Sequence, residues 1–154
     1  MAALAAEITQ KVHEALCITL PQARRLIQAV EQKAAEMGVN AVVAVGNPAG
    51  HIIAVECMPN AFIASYDVAV NKAFTVVAFK MSTAQLKPLA QPGASLYGIQ
   101  FTNNGKIVIF GGGEPLRRDG KIVGGLGVSG GTEEQDTALA AFGAEEFQKI
   151  ITEG

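Results

Sequence analysis

The histidines and cysteines of this sequence are the residues whose side chains most readily bind a metal or the iron of haem. His13 and Cys17 lie four residues apart, which would place both on one face of a helix. His51 and Cys57 lie six residues apart, which would place both on one face of a strand. No CxxC or HExxH spacing accompanies them, so no metal site of the zinc type is predicted. A lone histidine is more often structural or exposed than a ligand, and both interpretations stay open here.

A polar stripe runs along an otherwise apolar segment, residues 61–80. Asp67, Asn71 and Thr75 recur at every fourth position, and Lys72 lies beside them. On a helix this spacing forms either the solvent face or the polar wall of a ligand pocket. Lys72 could serve as a base or nucleophile if burial lowered its pKa, but no acid–base partner stands at a convincing spacing.

Ten of the 17 glycines fall within residues 105–131, which indicates tight turns and close backbone approaches. The run Gly111–Gly113 is either a surface that a flat ligand could approach or a β-bulge. The stretch Gly124–Thr132 leads from a strand into a helix, as phosphate-binding loops do. It lacks the lysine of a P-loop, and the acidic first turn at residues 133–136 would repel phosphate. A tight strand-to-helix turn packed against a neighbour is therefore predicted.

The elements that must position these residues follow from apolar periodicity and turn signals. Helices are predicted over residues 2–17, 20–37, 61–80, 83–90 and 132–150. Hairpins are predicted over residues 41–57, over 96–110 around Asn103-Asn104-Gly105, and over 113–128 around Asp119-Gly120. This order predicts an α+β fold in which helices cover an antiparallel sheet. We expect one domain over residues 19–154, preceded by an N-terminal extension over 1–18 that forms a short helix.

Composition excludes several classes of protein. The chain has 154 residues, 49% of them hydrophobic and 17% charged, so intrinsic disorder is excluded. The net charge of −2 gives no general attraction for nucleic acid, and no nucleic-acid partner is expected. No apolar run is long enough to cross a membrane, and the first residues lack the pattern of a signal peptide. These observations predict a cytoplasmic protein with no membrane partner.

Several short blocks occur together in an order that resembles the GlcG/HbpS-like family, which includes the C-terminal domain of PduO-type cobalamin adenosyltransferases. The resemblance covers about residues 19–150. The blocks are Val42–Val45, Asn47-x-x-Gly50, Met58–Ala61, Ser65, Asn71–Thr75, Gln91–Gly93, Tyr97-Gly98, Ile109–Gly113, Pro115, Asp119-Gly120, Gly127–Thr132 and Glu134–Asp136.

The resemblance implies a profilin-like fold with a five-stranded antiparallel sheet between helices. It also implies a homo-oligomer, and haem as the cofactor of some members. PduO-like members belong to propanediol or glycerol utilisation and its bacterial microcompartments. No established catalytic activity belongs to this domain on its own, and the adenosyltransferase domain is absent from the sequence, so its chemistry is not carried over.

Three functions remain as alternatives. The first is a non-catalytic accessory protein that binds haem or another tetrapyrrole, with His51 and then His13 as candidate iron ligands; His51 comes first because it lies within the family-matched region. Its other candidate binding residues are Asn71, Lys72 and Gly111, Gly112 and Gly113. The second is a cofactor-free structural or assembly protein of a metabolic microcompartment, which docks through the apolar stripe of residues 4, 8, 12 and 16. The third is an enzyme that acts on a small metabolite through Lys72, Asn71 and the surface of Gly111–Gly113.

Overall fold

The computed structural model describes residues 1–153. Its helices and strands, in chain order, are α1 (Ala2–Leu16), α2 (Leu20–Glu36), β1 (Val42–Gly46), β2 (Ile52–Cys57), α3 (Ile63–Phe79), α4 (Thr83–Leu89), β3 (Gly113–Arg118), β4 (Lys121–Ser129) and α5 (Glu133–Glu153). Two 3₁₀ turns, Ile99–Phe101 and Asn103–Gly105, lie between α4 and β3. Each of the predicted helices is present within a few residues of its expected bounds.

The strands form a four-stranded antiparallel sheet in the order β2-β1-β4-β3. The α+β class and the hairpins β1–β2 and β3–β4 are therefore confirmed. The prediction of five strands is wrong, since the sheet formed by residues 1–153 has four. The three hairpins predicted from turn signals would give six strands, and the two that did not form are those of the hairpin over residues 96–110.

The turn within residues 96–110 explains part of this difference. Asn103 and Asn104 adopt left-handed backbone conformations, with φ of 53° and 56°. Those angles suit a hairpin turn, but here they belong to a 3₁₀ turn in which Lys106 N–H donates to the carbonyl of Asn103. The flanking residues are consequently not brought into register as paired strands.

Side chains from the helices explain the rest. Val108 N–H donates to Thr75 Oγ1 of α3 at 3.0 Å, and Gly111 N–H donates to Glu133 Oε1 of α5 at 2.9 Å. These backbone donors would otherwise require a strand neighbour. The connecting segment, residues 107–112, is thus attached to the helices through their side chains and remains irregular.

Two apolar layers enclose the sheet, because successive strand residues point to opposite faces. Val43 and Val45 of β1 face the core formed with α2 and α5, whereas Val42 and Ala44 face α3. All five residues of β1 are buried, as expected of a central strand covered on both faces.

Glycines bring α3 unusually close to β4. A Cβ atom on Gly127 would lie 2.0 Å from the carbonyl oxygen of Ala69, and one on Gly125 would lie 2.5 Å from that of Ala73. Both obstacles are backbone atoms of α3, which cannot rotate away. The glycine-rich strand therefore permits direct helix–sheet contact, in agreement with the prediction of close packing.

Helix α1 lies apart from the core. None of its residues is buried, and the apolar side chains of its stripe are each more than half exposed (Leu4, Ile8, Val12, Leu16). The packed structure begins at Ile18, which is 1% exposed and whose N–H donates to Val123 O at 2.8 Å. No helix within residues 1–153 has the length and apolar character needed to cross a membrane.

Candidate functional site

A mainly apolar pocket of about 320 Å³ opens where the first half of α3 meets the start of α5. Two partly exposed aromatic rings lie on it, Phe62 at the start of α3 and Phe110 in the connecting segment. Its polar groups are few, which is the usual composition of a small-molecule site. The lining residues are Phe62, Ala64, Ser65, Val68, Phe110, Ser129, Gly131, Glu133 and Asp136.

Lys72 lies directly beside this pocket and is completely buried. Its Nζ donates to the carbonyl oxygen of Val128 at 2.7 Å and to Asp136 Oδ2 at 3.1 Å. The same nitrogen lies 5.1 Å from the centre of the Phe110 ring, within the range of a cation–π contact. Lys72 therefore has an acidic partner, which sequence spacing did not reveal because the two residues lie 64 positions apart.

Burial is the main cause of the pKa shift of Lys72. Removal from water lowers the pKa of its ammonium, and the attraction of Asp136 opposes that shift without cancelling it. Gly112 makes room for the ammonium, since a Cβ at that position would lie 2.5 Å from Nζ. The glycine run and Lys72, both predicted as site residues, are thus brought together by the fold.

The carboxylates at the start of α5 already have partners. Asp136 Oδ1 accepts from Gly131 N–H at 2.9 Å, and Glu133 accepts from Gly111 N–H and from Lys87 Nζ at 2.6 Å. The hydrogen bonds from Gly111 and then from Lys87 lower the pKa of Glu133. Side chains of α5 thus accept hydrogen bonds from the backbone just before the helix, where Gly131 N–H donates to Asp136 and Thr132 N–H donates to Gln135.

A pair of buried hydroxyl groups completes the pocket. Ser129 Oγ at the end of β4 donates to Ser65 Oγ of α3 at 3.2 Å, and both residues line the cavity. Sequence reasoning missed Ser129 as a site residue. The available signal was its position at the end of a buried strand just before a helix start, where loops commonly carry binding groups.

The remaining predicted residues lie elsewhere. Asn71 is half-buried and is not part of the pocket lining, while its carbonyl accepts from Thr75 Oγ1. His51 is exposed just before β2. His13 is exposed on α1, where it lines a separate open cleft of about 530 Å³ between α1 and the start of α2. The fold therefore does not bring either histidine to Lys72.

The pocket residues suit only part of a haem group. Aromatic and aliphatic side chains can contact the flat face of a macrocycle. The lining includes no histidine, cysteine, methionine or tyrosine, the usual axial ligands of haem iron. In the part of the chain that the structure describes, no cluster of three or more His, Cys, Asp or Glu side chains forms a metal site. An iron ligand from this chain would have to come from outside the pocket.

Comparison with known proteins gives a consistent result. Residues 18–145 match the model of a family described as haem degrading protein HbpS-like. The chain belongs to the HbpS-like family. The match begins where the packed core begins, at Ile18, and leaves out α1.

Individual relatives confirm this membership. The chain is 43% identical over 140 residues to an uncharacterized 15.0 kDa protein in the dhaT-dhaS intergenic region of Citrobacter freundii, covering 91% of this chain and 99% of that one. It is 38% identical over 151 residues to the corrinoid adenosyltransferase PduO of Citrobacter freundii, covering 94% of this chain but only 45% of PduO. A solved structure described as a PduOC:heme complex has a TM-score of 0.81 and 38% identity, covering 84% of this chain and 94% of that one.

Proposed function

We propose that this HbpS-like protein is a non-catalytic accessory protein that binds haem or a related tetrapyrrole and acts as a homo-oligomer. The observation that carries the proposal is the apolar pocket between Phe62 and Phe110, in a chain 38% identical to a protein solved as a haem complex. The likeness to PduO supports a place in cobalamin-dependent propanediol or glycerol metabolism in the cytoplasm, within a bacterial microcompartment.

The exposed rings support both binding and association. Phe62 is 71% exposed and Phe110 is 40% exposed, so a large apolar area at the pocket mouth faces water in the single chain. Covering aromatic surface with a macrocycle or a second subunit is favourable because it removes that area from water. The iron ligand is proposed to be His51 or His13. Both side chains are exposed, so either could bind the iron of a haem that is shared between two subunits.

Haemin titration followed by absorbance in the Soret region tests the proposal. We expect a sharp, saturating endpoint of one haem per subunit, with serum albumin as the comparison for nonspecific binding. Changing the true ligand, His51→Ala or His13→Ala, is expected to alter the spectrum and weaken binding by about tenfold or more. A weak shift that never saturates would contradict haem binding.

A substitution on α3 tests whether the pocket itself holds the macrocycle. Ala64 is exposed and lines the pocket, so Ala64→Trp is expected to fill its mouth and lower haemin affinity by about tenfold. Ala78→Trp is the matched control, because Ala78 is exposed on the same helix and is absent from the pocket lining. Equal affinities in the two variants would place the haem elsewhere on the protein.

A second candidate function is assembly without a cofactor, and the observation that favours it is the exposed apolar stripe of α1. The four side chains recur at every fourth position, so they form a continuous surface that a partner could cover. The polar residues of α1 are hydrated when no partner covers the helix. Among them, Lys11 forms an ion pair with Glu7 at 2.8 Å within the helix.

Deletion of residues 1–17 tests this assembly role. Since α1 buries no residue, we expect the shortened protein to stay folded, with a melting temperature within roughly 4 °C of the full chain. Loss of the oligomer, measured by light scattering, is the expected result. The control is Glu7→Gln, which changes only the polar face of α1. An unchanged oligomeric mass after deletion, or general unfolding, would contradict the docking role.

A further inference from the structure

We propose that Lys72 is a covalent capture site for a small uncharged aldehyde, which reaches the Lys72 amine when Phe110 moves aside. This inference does not depend on haem binding. It rests on the contacts of Lys72, on the attachment of the connecting segment that carries Phe110, and on the charge balance of the adjacent pocket.

The position of Lys72 favours reaction with a carbonyl compound. Its two polar contacts are Val128 O and Asp136, and Asp136 lines the pocket. An amine reacts with an aldehyde only when it is unprotonated. Burial lowers the pKa of Lys72, and Asp136 at 3.1 Å can accept the proton that the ammonium must lose.

Phe110 is the pocket-lining aromatic side chain that lies against Lys72. Its ring lies 5.1 Å from Nζ, lines the pocket and is 40% exposed. It belongs to the connecting segment, which is held by side-chain hydrogen bonds at Val108 and Gly111 and by a backbone hydrogen bond from Val128 N–H of β4 to Gly112 O at 2.8 Å. Rotation of the Phe110 ring about its own side-chain bonds leaves these hydrogen bonds intact, and the proposal places the route to Nζ there.

The pocket favours an uncharged ligand. Lys72 pairs with Asp136, and Lys87 pairs with Glu133, so the charges at the pocket balance each other. An anionic ligand would bring an unpaired charge beside two carboxylates. Apolar side chains can contact the carbon chain of an aliphatic aldehyde, while the Ser65–Ser129 hydroxyl pair offers hydrogen bonds to its oxygen.

The proposed step is balanced without an oxidant or reductant. The ammonium gives one proton to Asp136, and the Nζ lone pair forms a bond to the carbonyl carbon as the carbonyl π bond breaks. A second proton passes from the nitrogen to the former carbonyl oxygen, and the resulting hydroxyl leaves as water with the proton from Asp136 while the C=N bond forms. In total, one aldehyde and one lysine ammonium give one protonated imine and one water, and the reaction is reversible by hydrolysis.

Reductive trapping tests the proposal on the full chain. The folded protein is treated with butanal and sodium cyanoborohydride, and each modified lysine is located by peptide mass mapping. Lys121 is exposed and serves as the internal reference. We expect Lys72 to be labelled by butanal in the wild type. In Phe110→Ala we expect the labelling to be about tenfold faster, because no Phe110 ring has to move aside before the aldehyde reaches Nζ. The anionic aldehyde glyoxylate is expected to label Lys121 but not Lys72.

Phe101→Ala is the matched control, because Phe101 is 81% exposed and its ring makes no cation–π contact with Lys72. It is expected to leave the labelling of Lys72 unchanged. The circular dichroism of both variants establishes that they are folded. If Lys72 stays unmodified in the folded wild type and in Phe110→Ala while Lys121 is labelled, Lys72 is a structural ion-pair residue and the proposal is overturned.

Discussion

Replacing Gly127 by alanine is expected to lower the free energy of unfolding by about 3 kcal/mol or more, and to leave little soluble protein. The added methyl group would lie 2.0 Å from Ala69 O and 2.7 Å from Ala73 N, both of which are backbone atoms of α3. Neither can move without shifting α3 off the sheet. Urea denaturation of the purified variant, or its solubility if it cannot be purified, measures the effect.

Gly131→Ala is the control for Gly127→Ala. A Cβ on Gly131 would lie 2.7 Å from Gln135 Oε1 and 2.9 Å from Gln135 Cβ, so the Gln135 side chain and the start of α5 have to shift, but no backbone atom of α3 is involved. A smaller loss is expected there, about 1–2 kcal/mol, which includes the helix cap that Gln135 helps to form. Similar losses in the two variants would show that the close approach of α3 and β4 is not what requires glycine.

Asp136→Asn is expected to destabilise the protein by about 3–5 kcal/mol at neutral pH, because it leaves the buried ammonium of Lys72 without its charged partner. Asp136 is 4% exposed and Lys72 is completely buried, so water cannot replace the lost interaction. The measurement is the free energy of unfolding in urea. Glu134→Gln, an exposed change in the same turn of α5, is expected to have little effect.

The pH dependence of this loss follows from the lowered pKa of Lys72. Between the lowered value and the ordinary lysine value, the unfolded chain binds more protons than the folded one, so stability rises with pH. Loss of the Asp136 charge removes an interaction that raises the pKa of Lys72. In the variant, the pH range over which stability rises therefore begins at a lower pH than in the wild type. The deficit of Asp136→Asn should therefore shrink as the pH rises from the folded-state pKa of Lys72 in the variant to that in the wild type, both of which lie below the ordinary lysine value. A deficit that stays constant with pH would contradict the role of the ammonium.

Much of the fold was predictable because the signals lie within a few neighbouring residues. Thr19 and Gln22 form the predicted capping box at the start of α2, with hydrogen bonds of 3.3 and 3.0 Å. Asp119 and Gly120 take positive φ values of 49° and 76° and close the β3–β4 hairpin as expected. The segment around Asn103 carries a similar signal, but its neighbours bond to side chains of α3 and α5 instead, and this competition was invisible in the sequence.

The candidate site was predictable only in part. Lys72 and the glycine run were predicted as site residues from residue type and spacing, and the fold places Gly112 against Lys72 Nζ. The polar stripe of α3 was predicted to form either a solvent face or the wall of a ligand pocket, and the fold divides it, since Thr75 is buried against the connecting segment while Asn71 is half-buried outside the pocket. The two histidines stay predictions as haem ligands, since neither lines the pocket of Phe62 and Phe110.

The helices, two of the hairpins, the α+β class and the family were predictable from the residues alone, because caps, turns and apolar periodicity act over short distances. The pairing of Lys72 with Asp136 and the meeting of Ser65 and Ser129 at a pocket depend on how the elements pack in three dimensions. Those contacts join residues 64 positions apart in each case. They arise because glycines in β4 let α3 lie directly on the sheet, so that the end of β4 and the start of α5 are brought against the buried side of α3.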